Sequence, residues 1–396
     1  MKNETQSGAR RLLSLDVLRG LTVAGMILVN NGYGESFQML RHSQWNGMTP
    51  CDLVFPFFLF IMGVSCYVSM SRRGFQSSPA MLRKVVRRTL LLFAIGLFIN
   101  WFELAMKGTP LDLQHLRLWA VLQRIALCYL AVSLFALYAP HRYTLHTAAA
   151  LLVAYTIIII CGNGYAEDAS ANILAQADRA LFGYDHLYHK SPVDPEGLLG
   201  TISSVAHVLL GFYCGRLVTG GKRKEESGER KVESGERKVE SVFCFATVCV
   251  FLGYLLSYGL PLNKRIWSPS YVLVTCGLCA LLLALLYSEE RRVKSEEFAT
   301  ALPHNANTAA AANSSLFTLH SSLFRVFGMN ALALYVASEL LAIIFGHLGI
   351  SDAIYGVLHA VIPWAKWASL AYALTFVAIN YAIGYVLWKR KIFIKL

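Results

Sequence analysis

Charge is scarce in this chain: 15% of its 396 residues are charged and 56% are hydrophobic, whereas soluble domains are about 25% charged. That excludes a water-soluble globular protein and points to a polytopic membrane protein. No cleavable leader is expected either. Residues 1–11 (MKNETQSGARR) are polar and the first apolar run carries no small-residue cleavage site, so that run is expected to stay in the membrane as the first span. The nine cysteines form no disulfide framework, because seven lie within apolar runs (Cys66, Cys128, Cys214, Cys244, Cys249, Cys276, Cys279). Cys276 and Cys279 have the spacing of a redox or zinc pair, but in a continuous apolar run they read as core residues. No metal site is expected, and no bridge between Cys51 and Cys161. Spans one to five and six to ten show no internal repeat, which argues against a transporter built on inverted halves.

What is present is a series of long apolar runs. A helix needs about 20 mostly apolar residues to cross the hydrocarbon core, and that rule places ten spans near 12–30, 53–70, 85–104, 118–138, 143–161, 199–217, 242–260, 269–287, 323–346 and 367–388. The stretch from Ile350 to Trp367 is apolar but contains Pro363, and makes an eleventh short or re-entrant helix. The expected fold class is therefore all-α, a transmembrane bundle of ten or eleven spans.

The formal charge of +12 invites a nucleic-acid reading, but its distribution does not support one. With a cytoplasmic N-terminus, twenty-five of the 36 Lys and Arg fall in inner loops and tails and eight in outer loops. That bias is the positive-inside signature. Both termini are expected in the cytoplasm, and topology rather than nucleic acid accounts for the basic balance.

The spans group into blocks. Residues 1–218 hold spans one to six, with a long acid-tinted outer loop at 162–198 (Glu167, Asp168, Asp178, Asp185, Asp194, Glu196). A charged linker at 219–241 contains the unit ESGERKV repeated twice and then restarted, and reads as a solvated or partly helical cytoplasmic segment. Spans seven and eight (242–287) follow. A second cytoplasmic linker, Ala/Asn/Ser-rich, occupies 288–322, and residues 323–396 carry the last spans.

One motif carries titratable chemistry. Residues 40–60, LRHSQWNGMTPCDLVFPFFLF, form a polar loop with one histidine that runs directly into an apolar, aromatic-rich span. An imidazole titrates near neutral pH, so His42 is the leading candidate for a base or nucleophile. Asn30 and Asn31 end the first span, and Trp45 and Asn46 follow the histidine. Trp45 either stacks on a sugar ring or sits in the interfacial aromatic belt. Thr49-Pro50-Cys51-Asp52 fits a helix start with Thr49 as N-cap, Pro50 at N1 and Asp52 closing a capping-box-like pair. The second reading of Asp52 is as the carboxylate that orients His42, the third-member role of a triad; one carboxylate can do both.

Charges inside spans are costly and mark sites by default. Asp16 and Arg19 lie three apart on the first span and can pair with each other. Arg124 sits beside Gln123, with Glu103 as its expected partner. Glu339 lies deep in span nine, nine residues after Asn330, where a carboxylate must be protonated or paired. Asp194-Pro195-Glu196-Gly197 opens span six and looks like a cap with Pro at N1. Lys264 and Trp267 occupy the outer loop between spans seven and eight. The inner segment 71–88 holds six basic residues, Arg83, Arg87 and Arg88 among them, and either serves orientation and anionic lipid or docks the phosphates of a cytoplasmic coenzyme.

Together, SLDVLRGLTVAGMILVNN (14–31), LRHSQWNGMTPCDLVFPFFLFIMG (40–63), VLQRIALCY (121–129), DPEGLLGTI (194–202), NKRIWSPSYVL (263–273) and GMNALALYV (328–336) resemble the heparan-α-glucosaminide N-acetyltransferase family, and its bacterial members more closely. The block around His42 is the most specific. The resemblance implies a multi-pass acyltransferase of a bacterial inner membrane. It would take acetyl from cytoplasmic acetyl-CoA and deliver it to the amine of a glucosamine-type sugar on the far side. It also implies that His42 is the catalytic histidine, Asn30 (or Asn31) the active-site asparagine and Asp52 the motif aspartate. On this reading Asn31, Trp45, Asn46, Arg124, Asp194, Lys264, Trp267 and Glu339 form the acceptor side. Asp16, Arg19, Arg83, Arg87 and Arg88 form the coenzyme side. The acceptor glycan, membrane lipids and a second copy of the chain complete the expected partners. The rival readings are an amino-sugar permease and an O-acetyltransferase of a surface polysaccharide.

Overall fold

The computed structural model describes residues 12–220, 228–300 and 323–394, and all regular structure among them is helical. The helices are α1 Leu13–Asn30, α2 Val54–Ser71, α3 Pro79–Met106, α4 Val121–Tyr138, α5 Thr144–Cys161, α6 Ile173–Phe182 and α7 Gly200–Thr219. They continue with α8 Gly228–Ser257, α9 Pro269–Thr300, α10 Leu323–Met329, α11 Ala331–His347, α12 Ile350–Val361 and α13 Ala365–Lys389. Among the described residues, nine helices are long and apolar enough to cross a bilayer, or ten if the bent pair α10–α11 is one span. The protein is a multi-pass membrane protein.

Local chemistry sets several of the boundaries. Ser78 caps α3, its hydroxyl accepting from the Met81 amide at 3.1 Å with Pro79 in the first turn. Asn172 caps α6 in the same way, accepting from Leu174 N at 2.9 Å. Gly220 ends α7 in the left-handed conformation that a C-terminal glycine supplies without strain. Inside the bundle, α2 and α7 approach through Gly63 and Gly211. A Cβ on Gly63 would lie 2.1 Å from the Val208 carbonyl oxygen, and one on Gly211 2.2 Å from that of Phe60. Such backbone-to-backbone packing through small residues is how membrane helices associate when lipid offers no hydrophobic drive.

The structure departs from the sequence expectation in three places. Span nine is broken: α10 and α11 meet at Asn330 with an 87° bend. The buried Asn330 side chain holds the C-terminal segment, donating to Ile392 O and accepting from Ile394 N, both at 3.0 Å. The second expected linker is partly helix, because α9 continues to Thr300, whereas the helical start of α8 at Gly228 agrees with the partly helical reading of the first. Glu, Lys and Arg are good helix formers, and Arg292 pairs with Glu289 at 2.8 Å one turn away. The rest of those linkers, 221–227 and 301–322, lies outside the described residues. The outer loop 162–198 contains the helix α6, on which the sequence reading was silent. Finally, α7 starts at Gly200 after an N-cap position, Leu199, without side-chain capping, so Asp194-Pro195 is not its cap. The stretch before Pro363 does form a short apolar helix, α12.

The alternating direction of the helices gathers the segments 31–53, 107–120, 162–199, 258–268 and 348–364 at one end of the bundle. Hydrogen bonds confirm the gathering: Gly47 N to Leu262 O at 2.7 Å, Trp45 Nε1 to Tyr165 O at 3.0 Å and Leu118 N to His186 O at 3.2 Å. The α2–α7 contact is directly testable. Gly63→Val is expected to lower the thermal midpoint of the detergent-solubilised protein, with an overpacking cost of about 1–3 kcal/mol. Gly25→Ala, whose Cβ would meet only Val54 Cγ2 at 3.8 Å, should leave the midpoint unchanged. Identical melts for the two variants would refute the close approach.

Candidate active site

The segment that begins α2 builds the centre of this end. Pro50–Leu53 forms one turn of 3-10 helix with a capping box: Thr49 N donates to Asp52 Oδ2 at 3.0 Å and Thr49 Oγ1 lies 3.1 Å from the same oxygen. Ser43 N adds a third bond to Oδ2, at 3.1 Å. The other oxygen, Oδ1, lies 2.8 Å from His42 Nδ1. Asp52 is fully buried while the His42 side chain is 49% exposed, so the carboxylate works from inside and the imidazole faces out.

Lys264 reaches the same place from the loop between α8 and α9. Its Nζ is 3.0 Å from His42 Nδ1, 3.4 Å from Nε2 and 3.5 Å from Asp52 Oδ1. The Cys51 thiol lies 3.2 Å from Nδ1. One ring nitrogen cannot serve three partners. The shortest contact, to a buried carboxylate that only accepts, assigns a proton to Nδ1, while Nε2 faces Lys264 Nζ at 3.4 Å. Lys264 then interacts with Asp52 by charge.

The Lys264 loop is itself held rigidly. Asn263 N donates to Ser268 Oγ at 3.0 Å, its Oδ1 accepts from Ile266 N at 3.2 Å, and its Nδ2 donates to Asn46 Oδ1 at 3.2 Å. Trp267 occupies the left-handed region at φ +53°, an uncommon conformation for a bulky residue that surrounding contacts must enforce. That backbone twist turns the Trp267 indole inward, against Phe55 (centroids 5.2 Å), His207 (5.9 Å) and Tyr271 (5.4 Å), while Lys264 faces His42. The Tyr271 hydroxyl donates to the Asp52 carbonyl, which ties α9 to the turn.

The remaining expected residues divide. Asn30 Nδ2 donates to Glu339 Oε1 at 3.3 Å, joining α1 to α11, whereas the buried Asn31 amide turns back onto Ile27 O at 2.8 Å. Among the described residues, no hydrogen bond joins Asn30 to His42. Trp45 is 6% exposed and packs with Tyr155, Ile159, Leu174, Val193 and Ile266. Arg124 does not meet Glu103, which pairs with Lys107 at 2.6 Å. It is buried at the α4–α7 junction, donating to Gly197 O at 2.8 Å and lying 5.2 Å from the Trp267 ring. Asp194 and Glu196 both bind Arg117, at 2.8 Å. On the opposite end, Arg19 binds Asp16 at 2.9 Å and Ser65 Oγ at 2.8 Å. Arg88 covers the Tyr129 ring at 4.6 Å, and Arg83 and Arg87 are exposed on α3. No group of three or more metal-ligating side chains occurs among the described residues.

Reading the residues alone missed four participants. Cys51 reads from the sequence only as part of the helix start, and Asn263 and Tyr271 fall in the 263–273 segment, where nothing local points to their partners. His207, a histidine inside the apolar run of α7, was a visible signal, and it is buried between Phe60 and Trp267.

Electrostatics outside the spans follows burial. Burial would raise the Glu196 carboxyl, but the Arg117 and Arg124 cations outweigh it and the net shift is downward. Asp178 on α6 has no such cation in contact. Burial pushes it up to about 6, against the hydrogen bond from Leu198 N at 2.9 Å. A carboxyl raised in the folded state stabilises fully below its unfolded value, and that contribution is lost as pH rises through about 6. Asp178→Asn, which keeps the acceptor for Leu198 N, is therefore expected to melt higher than the parent at pH 8 and to match it near pH 4. A larger gain at the acid end would contradict the assignment.

Comparison with known proteins places these features in context. Residues 11–185 match the family model described as heparan-alpha-glucosaminide N-acetyltransferase, catalytic. Over 343 residues the chain is 30% identical to the heparan-alpha-glucosaminide N-acetyltransferase of Mus musculus, covering 71% of this chain and 50% of that protein. It is 29% identical over 338 residues to the Homo sapiens protein, covering 70% and 48%. The chain thus spans about half the length of the curated relatives it matches. The matched segment contains His42, Asp52, Asn30 and Arg124; Lys264 and Glu339 lie beyond it.

Proposed function

We propose, for a chain that belongs to the heparan-α-glucosaminide N-acetyltransferase family, that it is a transmembrane N-acetyltransferase using His42 as general base. The observation that carries this reading is the His42–Asp52 contact of 2.8 Å, with a buried carboxylate, a half-exposed ring and Lys264 alongside. Acetyl-CoA is the donor and the amine of a glucosamine-type sugar the acceptor. The charge bias of the loops supports a cytoplasmic N-terminus, with His42 on the far side of a bacterial inner membrane. The exposed Arg83 and Arg87 on α3 are suited to the coenzyme's phosphates, whereas Asp16 and Arg19 are engaged with each other.

The chemistry balances without a further reagent. The neutral amine nitrogen attacks the thioester carbonyl carbon. The nitrogen–carbon bond forms as the carbon–sulfur bond breaks, and the coenzyme leaves as thiolate. His42 Nε2 removes the proton that the nitrogen must lose and passes it to the thiolate. Asp52 holds the Nδ1–H tautomer and offsets the charge of the transient imidazolium. Lys264, 3.4 Å from Nε2, supplies positive charge where the carbonyl oxygen becomes negative. Asn30 ends α1 at the same end of the bundle, and its donation to Glu339 sets its orientation.

Two substitutions test the assignment in proteoliposomes supplied with labelled acetyl-CoA. His42→Ala should abolish transfer to glucosamine while the protein folds and still binds acetyl-CoA; normal turnover would reject the site. Asp52→Asn should retain the helix cap through its amide oxygen but present an N–H to Nδ1 and select the wrong tautomer. A loss of about 10⁴-fold in kcat is expected, by analogy with the serine-protease aspartate. Amino-sugar flux without acetylated product would favour a permease, and an alkali-labile product an O-acetyltransferase.

A further inference from the structure

Arg124 is a costly side chain to bury, and the reaction above does not use it. It is 1% exposed and stands in the first turn of α4, where the helix dipole disfavours a cation. A buried charge is expensive unless it is paired. Glu196 feels the Arg124 charge, yet both Glu196 and Asp194 are bound to Arg117 at 2.8 Å. Arg124 has one hydrogen bond, from Nη2 to Gly197 O at 2.8 Å, and its Nε and Nη1 find no partner among the described residues. Its other contact is the Trp267 ring, 5.2 Å from the guanidinium carbon. An apolar side chain of similar volume would fill this position at lower cost, so the fold alone does not account for the cation.

Trp267 is where that cation acts. The indole is 1% exposed and its N–H has no hydrogen-bond partner among the described residues, so contacts to the ring orient it. Phe55 and Tyr271 meet it edge-on, and Arg124 covers it as a desolvated cation over an aromatic face. The same residue carries the left-handed backbone at φ +53°, and its N–H donates to Lys264 O at 3.1 Å. Lys264 is therefore one hydrogen-bonded turn away from the ring that Arg124 covers. Its Nζ in turn lies 3.0 Å from His42 Nδ1 and 3.5 Å from Asp52 Oδ1. A left-handed turn at a bulky residue persists only where its surroundings over-determine it, and the guanidinium is one of those surroundings.

We propose that Arg124 and Trp267 are positioning residues for Lys264. The guanidinium fixes the indole, the indole fixes the left-handed turn, and the turn holds the Lys264 ammonium against the His42–Asp52 pair. A planar guanidinium can cover an indole while one of its nitrogens donates to the Gly197 carbonyl, a combination that a lysine ammonium does not offer. Gly200 leaves the room for it. A Cβ there would lie 2.8 Å from Arg124 Nη2, which is the far end of a flexible side chain, so Gly200→Ala displaces the guanidinium and spares the backbone. The catalytic consequence rests on the acetyl-transfer reading, whereas the placement of Lys264 is measurable without turnover.

The experiment acylates amines of the intact protein in detergent with the N-hydroxysuccinimide ester of acetic acid and follows each lysine by peptide mass spectrometry. The Lys264 side chain is 13% exposed and that of Lys366 is 50% exposed, so Lys366 serves as the internal reference. Lys264 should react more slowly than Lys366 in the parent, and Arg124→Gln and Gly200→Ala should each speed it by about threefold or more against that reference. Gly200→Ala should melt with the parent, and it decides the labelling test if Arg124→Gln does not fold. In proteoliposomes with labelled acetyl-CoA, Arg124→Gln should lower kcat by about tenfold or more with KM for glucosamine little changed. It should cost nothing further in a Lys264→Met background. Losses that multiply in the two backgrounds overturn the inference, as does a Lys264 labelling rate that stays at the parent value. Faster Lys264 labelling in a protein that transfers no acetyl keeps the positioning chain and removes the catalytic reading alone.

Discussion

A single carboxylate couples the fold of this protein to its candidate chemistry. Asp52 Oδ2 accepts two backbone N–H groups and faces the Thr49 hydroxyl to start α2, while Oδ1 takes the His42 ring. The first task is structural: a helix start leaves unpaired N–H groups that something must satisfy. The second is chemical, because a buried carboxylate that orients an imidazole fixes which nitrogen is free. The same side chain performs both, and the Ser43 amide next to the histidine is bound to Oδ2, so the imidazole is positioned relative to the helix start. Positional precision of this kind is what an acyl-transfer base requires.

The other side of the site depends on a loop that is strained and braced. Trp267 at positive φ is held because the asparagine at 263 bonds to Ser268, Ile266 and Asn46 together. The Tyr155 hydroxyl also donates to the Ile266 carbonyl from α5. A twist of this sort costs about 1–3 kcal/mol and persists only when its surroundings over-determine it. Its effect is to separate two neighbours by direction: Trp267 enters the core, and Lys264 reaches the imidazole.

Much of this was readable in the residues, and the unreadable parts have physical reasons. The capping motif Thr49-Pro50-Cys51-Asp52 is local, so both uses of Asp52 could be foreseen from it. Helix existence was equally legible, because apolar length alone decides whether a segment can span. The break at Asn330 was not, since its cause is a pair of bonds to residues more than sixty positions away. The partner of Arg124 was misassigned for a similar reason. Glu103 has Lys107 four residues on along the same helix, while Gly197 comes to Arg124 only through the fold of the segment before α7. That Lys264 and His42 meet, 222 positions apart, was likewise invisible until the two loops were placed at one end.

The charges at that end form local, nearly neutral sets. Arg117 binds the pair Asp194 and Glu196, and Lys264 lies beside Asp52. Arg124 has the Gly197 carbonyl and the Trp267 face, but its Nε and Nη1 find no partner among the described residues. The His42 imidazole sits next to a lysine–aspartate pair whose charges offset. On the proposed reading, proton uptake by His42 would make the trio cationic at the moment when an attacked thioester develops an oxyanion. Positive charge would then appear where negative charge is forming, so on that reading the Lys264–Asp52 pair would favour the transition state over the resting site. That differential, rather than tight binding of either substrate, is what accelerates a group transfer.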